Sequence, residues 1–174
     1  MDILITHRLL IRPISEQDFY DISKYGCDGA TGEYMIYWPK SKNNIKKFID
    51  ECITSMNSNT VTWYEFAIQL KENNKVVGNI SLEIKQKFAE IGWISNKKYW
   101  NNGYMTEAVR ETIKYSFNKL KITKIMATCT NKNRASYRVM EKCGMIKIKE
   151  EKNYKSIKQG IEVEYDKLTY CIER

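Results

Sequence analysis

Trp100-Asn101-Asn102-Gly103-Tyr104-Met105-Thr106-Glu107-Ala108 is the stretch on which the fold turns. A polar run from Ser95 to Asn102 closes on one glycine, and a long amphipathic pattern begins at once after it. Met105, Ala108, Val109, Thr112, Ile113, Phe117 and Leu120 recur at three- and four-residue steps, the buried face of a helix. Phe88 to Ile94, before the turn, reads as a strand. A strand-turn-helix junction aims unpaired backbone N–H groups outward, and the helix dipole adds about half a positive charge. That is a site for an anion, phosphate above all, and Gly103 lets the backbone come close to it. The spacing alone is not specific: it is neither a P-loop nor a dinucleotide fingerprint, and an ordinary strand-to-helix turn has the same form. Glu107 also counts against phosphate, since it already offers the helix start a negative charge.

Outward from this turn the elements alternate in a readable order. Leu9 to Ile11 form a strand ending at Pro13, and Ser15 with Asp18 makes a capping-box pattern for a helix to about Tyr25. A loop from Gly26 to Pro39 carries Gly29, Gly32, Tyr34, Tyr37 and Trp38. Ser41 caps a second helix whose apolar set is Ile45, Phe48, Ile49, Cys52, Ile53 and Met56. Trp63 to Leu70 and Val76 to Ile84 are strands joined by the polar turn Lys71–Lys75. After the long helix, Ile125 to Thr130 is a strand, Asn133 starts a shorter helix, and Gly144 ends it. Met145 to Lys149 and Val163 to Ile172 close the chain as strands, with Lys147 to Lys158 a solvated strand end and loop that can also meet an acidic partner. The order β-α-α-β-β-β-α-β-α-β-β describes an α/β protein, a mixed sheet with helices on both faces. Without repeats or linkers, residues 1–174 read as a single domain.

Composition narrows the function. Hydrophobic residues at 43% and charged residues at 29% fit a folded chain. No apolar run approaches the ~20 residues of a membrane helix, and the first twelve residues lack a signal-peptide layout. A cytoplasmic protein without a membrane partner is expected. The net charge of +8 admits nucleic acid, an acidic substrate or a phosphate-rich cofactor. The basic residues are lysine-rich, dispersed and interleaved with glutamate, so no specific nucleic-acid partner is expected. Cys27, Cys52, Cys129, Cys143 and Cys171 are odd in number and lack C-x-x-C spacing, and His7 is the only histidine. A disulfide framework and a metal site are both unexpected, and Cys/His catalysis has little to build on.

Four segments together resemble the GNAT superfamily of acetyltransferases, in particular the ribosomal-protein N-terminal acetyltransferases of the RimJ/RimL type. They are Thr6-x-Arg8-Leu9-x-Ile11-Arg12-Pro13, Tyr34-Met35-x-x-Trp38-Pro39, Ala89-Glu90-Ile91-Gly92-Trp93 running on to Tyr99 through Ala108, and Asn133-x-x-Ser136-x-Arg138-Val139-Met140 to Met145. The resemblance covers nearly the whole chain in order. It implies a GNAT-like, mostly antiparallel sheet and acetyl-CoA as co-substrate, with no metal. The acceptor would be a primary amine, a protein N-terminal α-amine before the alternatives: a small amine (polyamine, aminoglycoside, amino acid) or a non-catalytic CoA-binding relative. A monomer or homodimer is compatible with it. Trp100 and Met105 depart from the family's Q/R-x-x-G-x-G/A loop, Asn101 stands where the branch often has Gly, and Met140 replaces a tyrosine that serves many members as general acid.

The resemblance places the pantetheine arm along Trp93, Ile94 and Ser95, pairing as an added strand does. It places the pyrophosphate on Asn101, Asn102, Gly103, Tyr104, Met105 and Thr106. Asn133 contacts the arm or holds the adjacent loop, though asparagine is equally a good helix N-cap. Ser136 is the candidate proton donor to the departing thiolate, or a plain first-turn serine. Glu90 is the candidate general base, directly or through water, or a solvent-side glutamate. Tyr34, Tyr37 and Trp38 line the acceptor channel or belong to the core. An α-amine with pKa near ~7.7–8.0 is about one-tenth neutral at pH 7, whereas a lysine amine near ~10.4 is neutral less than about one part in a thousand. A weak base therefore suits an N-terminal acceptor better than a lysine.

Overall fold

A computed structural model describes residues 2–35, 41–158 and 160–174. Along the chain the strands are β1 (Leu4–Ile5), β2 (Leu9–Pro13), β3 (Trp63–Leu70), β4 (Val76–Ile84), β5 (Ala89–Ser95), β6 (Lys124–Thr130), β7 (Ile146–Lys158) and β8 (Ile161–Glu173). The α-helices are α1 (Phe19–Gly26), α2 (Lys42–Met56), α3 (Tyr104–Asn118) and α4 (Arg134–Lys142). The strands make one sheet in the order β1-β2-β3-β4-β5-β6-β8-β7. All neighbours are antiparallel except β5 and β6.

Strand alternation sorts the side chains onto two faces. Ala67 and Val76 meet Ile22 and Tyr25 of α1 and Ile45, Ile49 and Cys52 of α2. On the other face Phe66, Ile68, Ile80, Leu82 and Ile91 pack against Ala108, Val109 and Ile113 of α3 and Met140 of α4. Burial of one such isoleucine or leucine is worth about 1.5–3 kcal/mol. The helical periods read from the sequence are therefore core faces, and the element order is the expected one with the two-residue β1 added at the edge. Among the described residues no helix is long and apolar enough to cross a membrane.

Two features of the sheet position the site. A side chain at Gly78 would put its Cβ 2.5 Å from the Ile94 carbonyl oxygen, so only glycine lets β4 hold β5 this closely. On its other side β5 pairs with β6 only through Ala89–Ile125 and Glu90–Met126. Both strands continue, to Ser95 and Thr130, but they part beyond those two pairs and leave an opening in the middle of the sheet.

The last two strands correct the sequence reading. Lys147 to Lys158 is strand almost throughout rather than a strand end and loop, and β7 and β8 are thirteen residues each. The run has no alternating apolar pattern because its far half is a solvated two-stranded ribbon. Cross-strand pairs hold it instead: Lys155–Glu162, Lys152–Asp166, and the edge-on rings of Tyr154 and Tyr165 at 5.6 Å.

Candidate active site

The opening between β5 and β6 leads into a cavity on each face of the sheet. Gly92, Trp93, Ile94, Thr128 and Cys129 line both cavities, so the two meet where the strands part. Tyr34, half-exposed, also borders both. Tyr37 and Trp38 lie outside the described residues.

The cavity on the α3/α4 side, about 770 Å³, gathers Trp93 through Ser95, Asn101 through Thr106, Asn133 and Ser136 around one space. The Asn96 N–H bonds to the Val77 carbonyl at 2.8 Å. Antiparallel alternation then turns the main chain of Gly92 and Ile94 toward β4 and that of Trp93 and Ser95 into the opening. Below it a single 3₁₀ turn, Lys97–Tyr99, leads into the loop. Trp100 reaches back from that loop, its indole N–H donating to the Ser95 carbonyl at 3.0 Å, so this departure from the family pattern ties the turn to β5. Gly103 is the N-cap of α3 at φ 78°, in the left-handed region, and Asn101 is there too at φ 63°. Both are residue types that tolerate that region. No side chain caps α3, which leaves its first N–H groups directed at the cavity.

Glu107, in the first turn of α3, does not spoil this site for an anion. Its carboxylate accepts from the Arg8 Nε at 2.7 Å, the Arg8 N–H at 3.0 Å and the Thr6 hydroxyl at 2.6 Å. Arg8 also donates to the Asn102 carbonyl at 2.9 Å and lies 4.5 Å from the Tyr104 ring centre. The strand β2 end of the chain thus clamps the loop and neutralises the acid. Burial pushes the Glu107 carboxyl up, but the bonds from Thr6 and Arg8 outweigh it and hold it below its usual range.

At the junction, Asn133 caps α4, its Oδ1 accepting from the Ser136 N–H at 3.1 Å. It borders the cavity as well, so capping and lining coexist at one residue. Ser136 lines this cavity together with Cys129, whose thiol burial pushes up to about 11. Cys129 is thereby a neutral thiol at pH 7 rather than a competing nucleophile. The five thiols are free, and among the described residues no group of three His, Cys, Asp or Glu is placed to hold a metal.

The cavity on the α1/α2 side, about 740 Å³, is walled by apolar groups including Ile22, Phe48, Trp63 and Ile94, and by the β7–β8 ribbon. Lys158, near the ribbon tip, donates to the main-chain carbonyls of Gly32 and Glu33 and ties the ribbon to the segment after α1. Glu90 faces this side but is paired with Glu83 and Met126, one row outside the opening, and neither cavity includes it in its lining. The carboxylate in the floor is Glu65, 1% exposed.

The profile of the acetyltransferase (GNAT) domain family matches residues 8–146. The chain belongs to the GNAT acetyltransferase family. It is 30% identical over 144 residues to the uncharacterized N-acetyltransferase YnaD of Bacillus subtilis, covering 82% of this chain and 81% of that one. The crystal structure of a GNAT-family acetyltransferase from Bacillus anthracis superposes with TM-score 0.87 at 29% identity, over 99% of this chain and 98% of the other. RimL, the ribosomal L7/L12 alpha-N-protein acetyltransferase solved with coenzyme A, shares the fold with TM-score 0.83 at 16% identity, covering 99% and 98%.

For this GNAT enzyme the motifs located the α3/α4 cavity and passed over Glu65, Asn79 and Ser81 in the other. The signal available for them was polar residues set among apolar ones in two strands, Glu65 within Trp63–Leu70 and Asn79 and Ser81 within Val76–Ile84. Strand register then sets Glu65 opposite Ser81 and Ser81 opposite Gly92, a row leading straight to the opening.

Proposed function

We propose that this N-acetyltransferase carries the acetyl group of acetyl-CoA to the primary amine of a compact, largely apolar acceptor. The observation that carries the reading is the opening through the sheet, where a backbone-lined cavity and an apolar one meet at Gly92–Ile94 and Thr128–Cys129. Pyrophosphate fits the uncapped start of α3 beside Gly103, and the pantetheine amides fit the main chain of Trp93 and Ser95, which has lost its β6 partner. The thioester then reaches the junction. The amine arrives from the α1/α2 side and attacks the carbonyl carbon, so the C–N bond forms as the C–S bond breaks. Ser136, which lines the α3/α4 cavity with Cys129, gives the thiolate its proton.

The ribbon bridged by Lys158 favours a compact acceptor over a long chain. The protein N-terminus implied by the family resemblance is the competing acceptor, since an α-amine needs little help to become neutral. Thermal unfolding with and without acetyl-CoA tests the cofactor half. Ligand at 100 times Kd adds about 2.7 kcal/mol, a rise of roughly 5–10 °C in Tm for a chain of this size. Thiol release with a panel of small amines and of peptides beginning with Ala or Ser tests the acceptor half. Turnover of the peptides alone removes the compact-acceptor reading, and no turnover with any amine removes the enzyme reading.

A further inference from the structure

Glu65 is a buried carboxylate, and the titratable groups that face it from α1 and α2, the Tyr25 hydroxyl and the Cys52 thiol, are kept neutral by burial. The Asn79 side-chain amide N–H and the Trp63 indole N–H, the latter at 3.1 Å, donate to it, and Ser81 stands directly opposite it on β4. The Tyr25 hydroxyl donates to the Asn79 Oδ1 at 2.9 Å, and the NH₂ of the same amide faces Glu65. The indole also donates to the Ser81 Oγ at 2.8 Å, leaving the serine proton for the carboxylate. Burial pushes the carboxyl above its usual range, while the two N–H donors favour the ionised form. Among the described residues no Lys or Arg pairs with it. An ionised group this deep without a cation is costly to keep, and it sits in the floor of the apolar cavity.

Across the sheet Glu65, Ser81 and Gly92 stand directly opposite one another on β3, β4 and β5. Two strand spacings, about 10 Å, separate Glu65 from the edge where the thioester is placed. Gly92 has no side chain, and a Cβ there would meet nothing within 4 Å, so the path over Ser81 to the opening is clear. A primary amine arrives protonated and must lose that proton before it attacks.

On the reading proposed above, we infer that the floor of the α1/α2 cavity is an ammonium site: Glu65 is the counter-charge for the acceptor, and the amine's proton passes through the Ser81 hydroxyl to Glu65. The ammonium donates to Ser81 Oγ, and as that oxygen takes the proton its own moves to the Glu65 carboxylate. The products are a neutral amine and a neutral carboxylic acid. The amine nitrogen bonds the acetyl carbon, the sulfur leaves, and the second nitrogen proton goes to the thiolate. Glu65 returns its proton to water after product leaves. The acceptor class that follows is a monocationic amine on an apolar or aromatic body, without a second charge close to the first.

The test uses 2-phenylethylamine and its uncharged isostere 2-phenylethanol. With the CoA-bound protein, calorimetry should show the amine binding at least about tenfold more tightly than the alcohol, as a hydrogen-bonded charge requires. Equal affinity overturns the ammonium site without reference to any variant. Glu65→Gln should lower kcat/KM for the amine about 10²-fold, erase the amine-over-alcohol preference, and remove the fall in kcat/KM that protonation of Glu65 causes toward acid pH. Its acetyl-CoA-induced rise in Tm should stay, which reports that it folds and keeps the cofactor half. Ser81→Ala should lose kcat with less effect on amine affinity. An acid limb that persists in Glu65→Gln but vanishes in Glu90→Gln assigns the base to Glu90 and overturns the proposal while leaving the acetyl-transfer reading standing. A wild-type protein that acetylates no amine removes that reading and this one together.

Discussion

The two cavities are built from different materials. The α3/α4 cavity takes its polar groups from main chain: a strand edge without a partner, a turn with two left-handed residues, and an uncapped helix start. The α1/α2 cavity is side chain: apolar walls, a buried polar cluster in its floor, and further charged residues such as Glu51, Glu164 and Lys167 in its lining. Backbone sites are set by a few residues that permit a geometry, and they recur wherever a chain must hold the same polar ligand. A side-chain site can be changed strand by strand without disturbing its neighbour, which is how one framework serves many acceptors.

The sharpest way to break this contrast is at the junction, where both halves need the same atom. Ser136→Ala should lower kcat about 10²-fold while leaving the acetyl-CoA-induced rise in Tm intact; an unchanged kcat in single-turnover thiol release would remove the serine from the chemistry. Gly103→Val next separates the halves. Forcing a β-branched residue to φ 78° costs roughly 1–2 kcal/mol, and if that strain distorts the loop the KM for acetyl-CoA should rise about tenfold while amine affinity stays. A KM that rises for both ligands would show that the cavities are one mechanical unit.

Asn133→Ala probes a residue that both caps and lines. Loss of the cap should cost about 1 kcal/mol in urea unfolding, and a rise in acetyl-CoA KM beyond that loss would show contact with the cofactor arm; an unchanged KM leaves the cap alone. The smallest effect concerns the clamp. Glu107 titrates below its unfolded value near ~4.3, so its stabilisation is complete above that value and drains as pH falls through the lower folded one. Being partly exposed, the pair should contribute about 1 kcal/mol or less. The drop in urea stability between pH 5 and 3 should accordingly be smaller in Glu107→Gln than in the wild type, and equal drops would show that Arg8 holds the loop without it.

The same contrast explains what the sequence made legible. Helix periods such as Ile45–Ile49–Cys52 and Ala108–Val109–Thr112–Ile113 are local and repeat within one element, so the helices and their buried faces could be read directly. The loop ending at Gly103 was readable because residues adjacent in the chain act together. Glu65, Ser81 and Gly92 act together only after two strand registers are fixed, and no local pattern records that. The parting of β5 and β6 is likewise a fact about pairing rather than composition. The ribbon at Lys147–Lys158 escaped for the opposite reason: it buries too little on either face to leave an alternation, and the pairs that fix it as a hairpin, Lys152–Asp166 and Lys155–Glu162, join residues apart in the chain.

The parting of β5 from β6 also has a mechanical side. The sheet is two panels, β1 to β5 and β6 to β8, joined by a hinge of two backbone rungs at Ala89 and Glu90. A pantetheine arm lying in the gap, as proposed, would supply the missing rungs and act as a temporary strut of the architecture as well as a reagent.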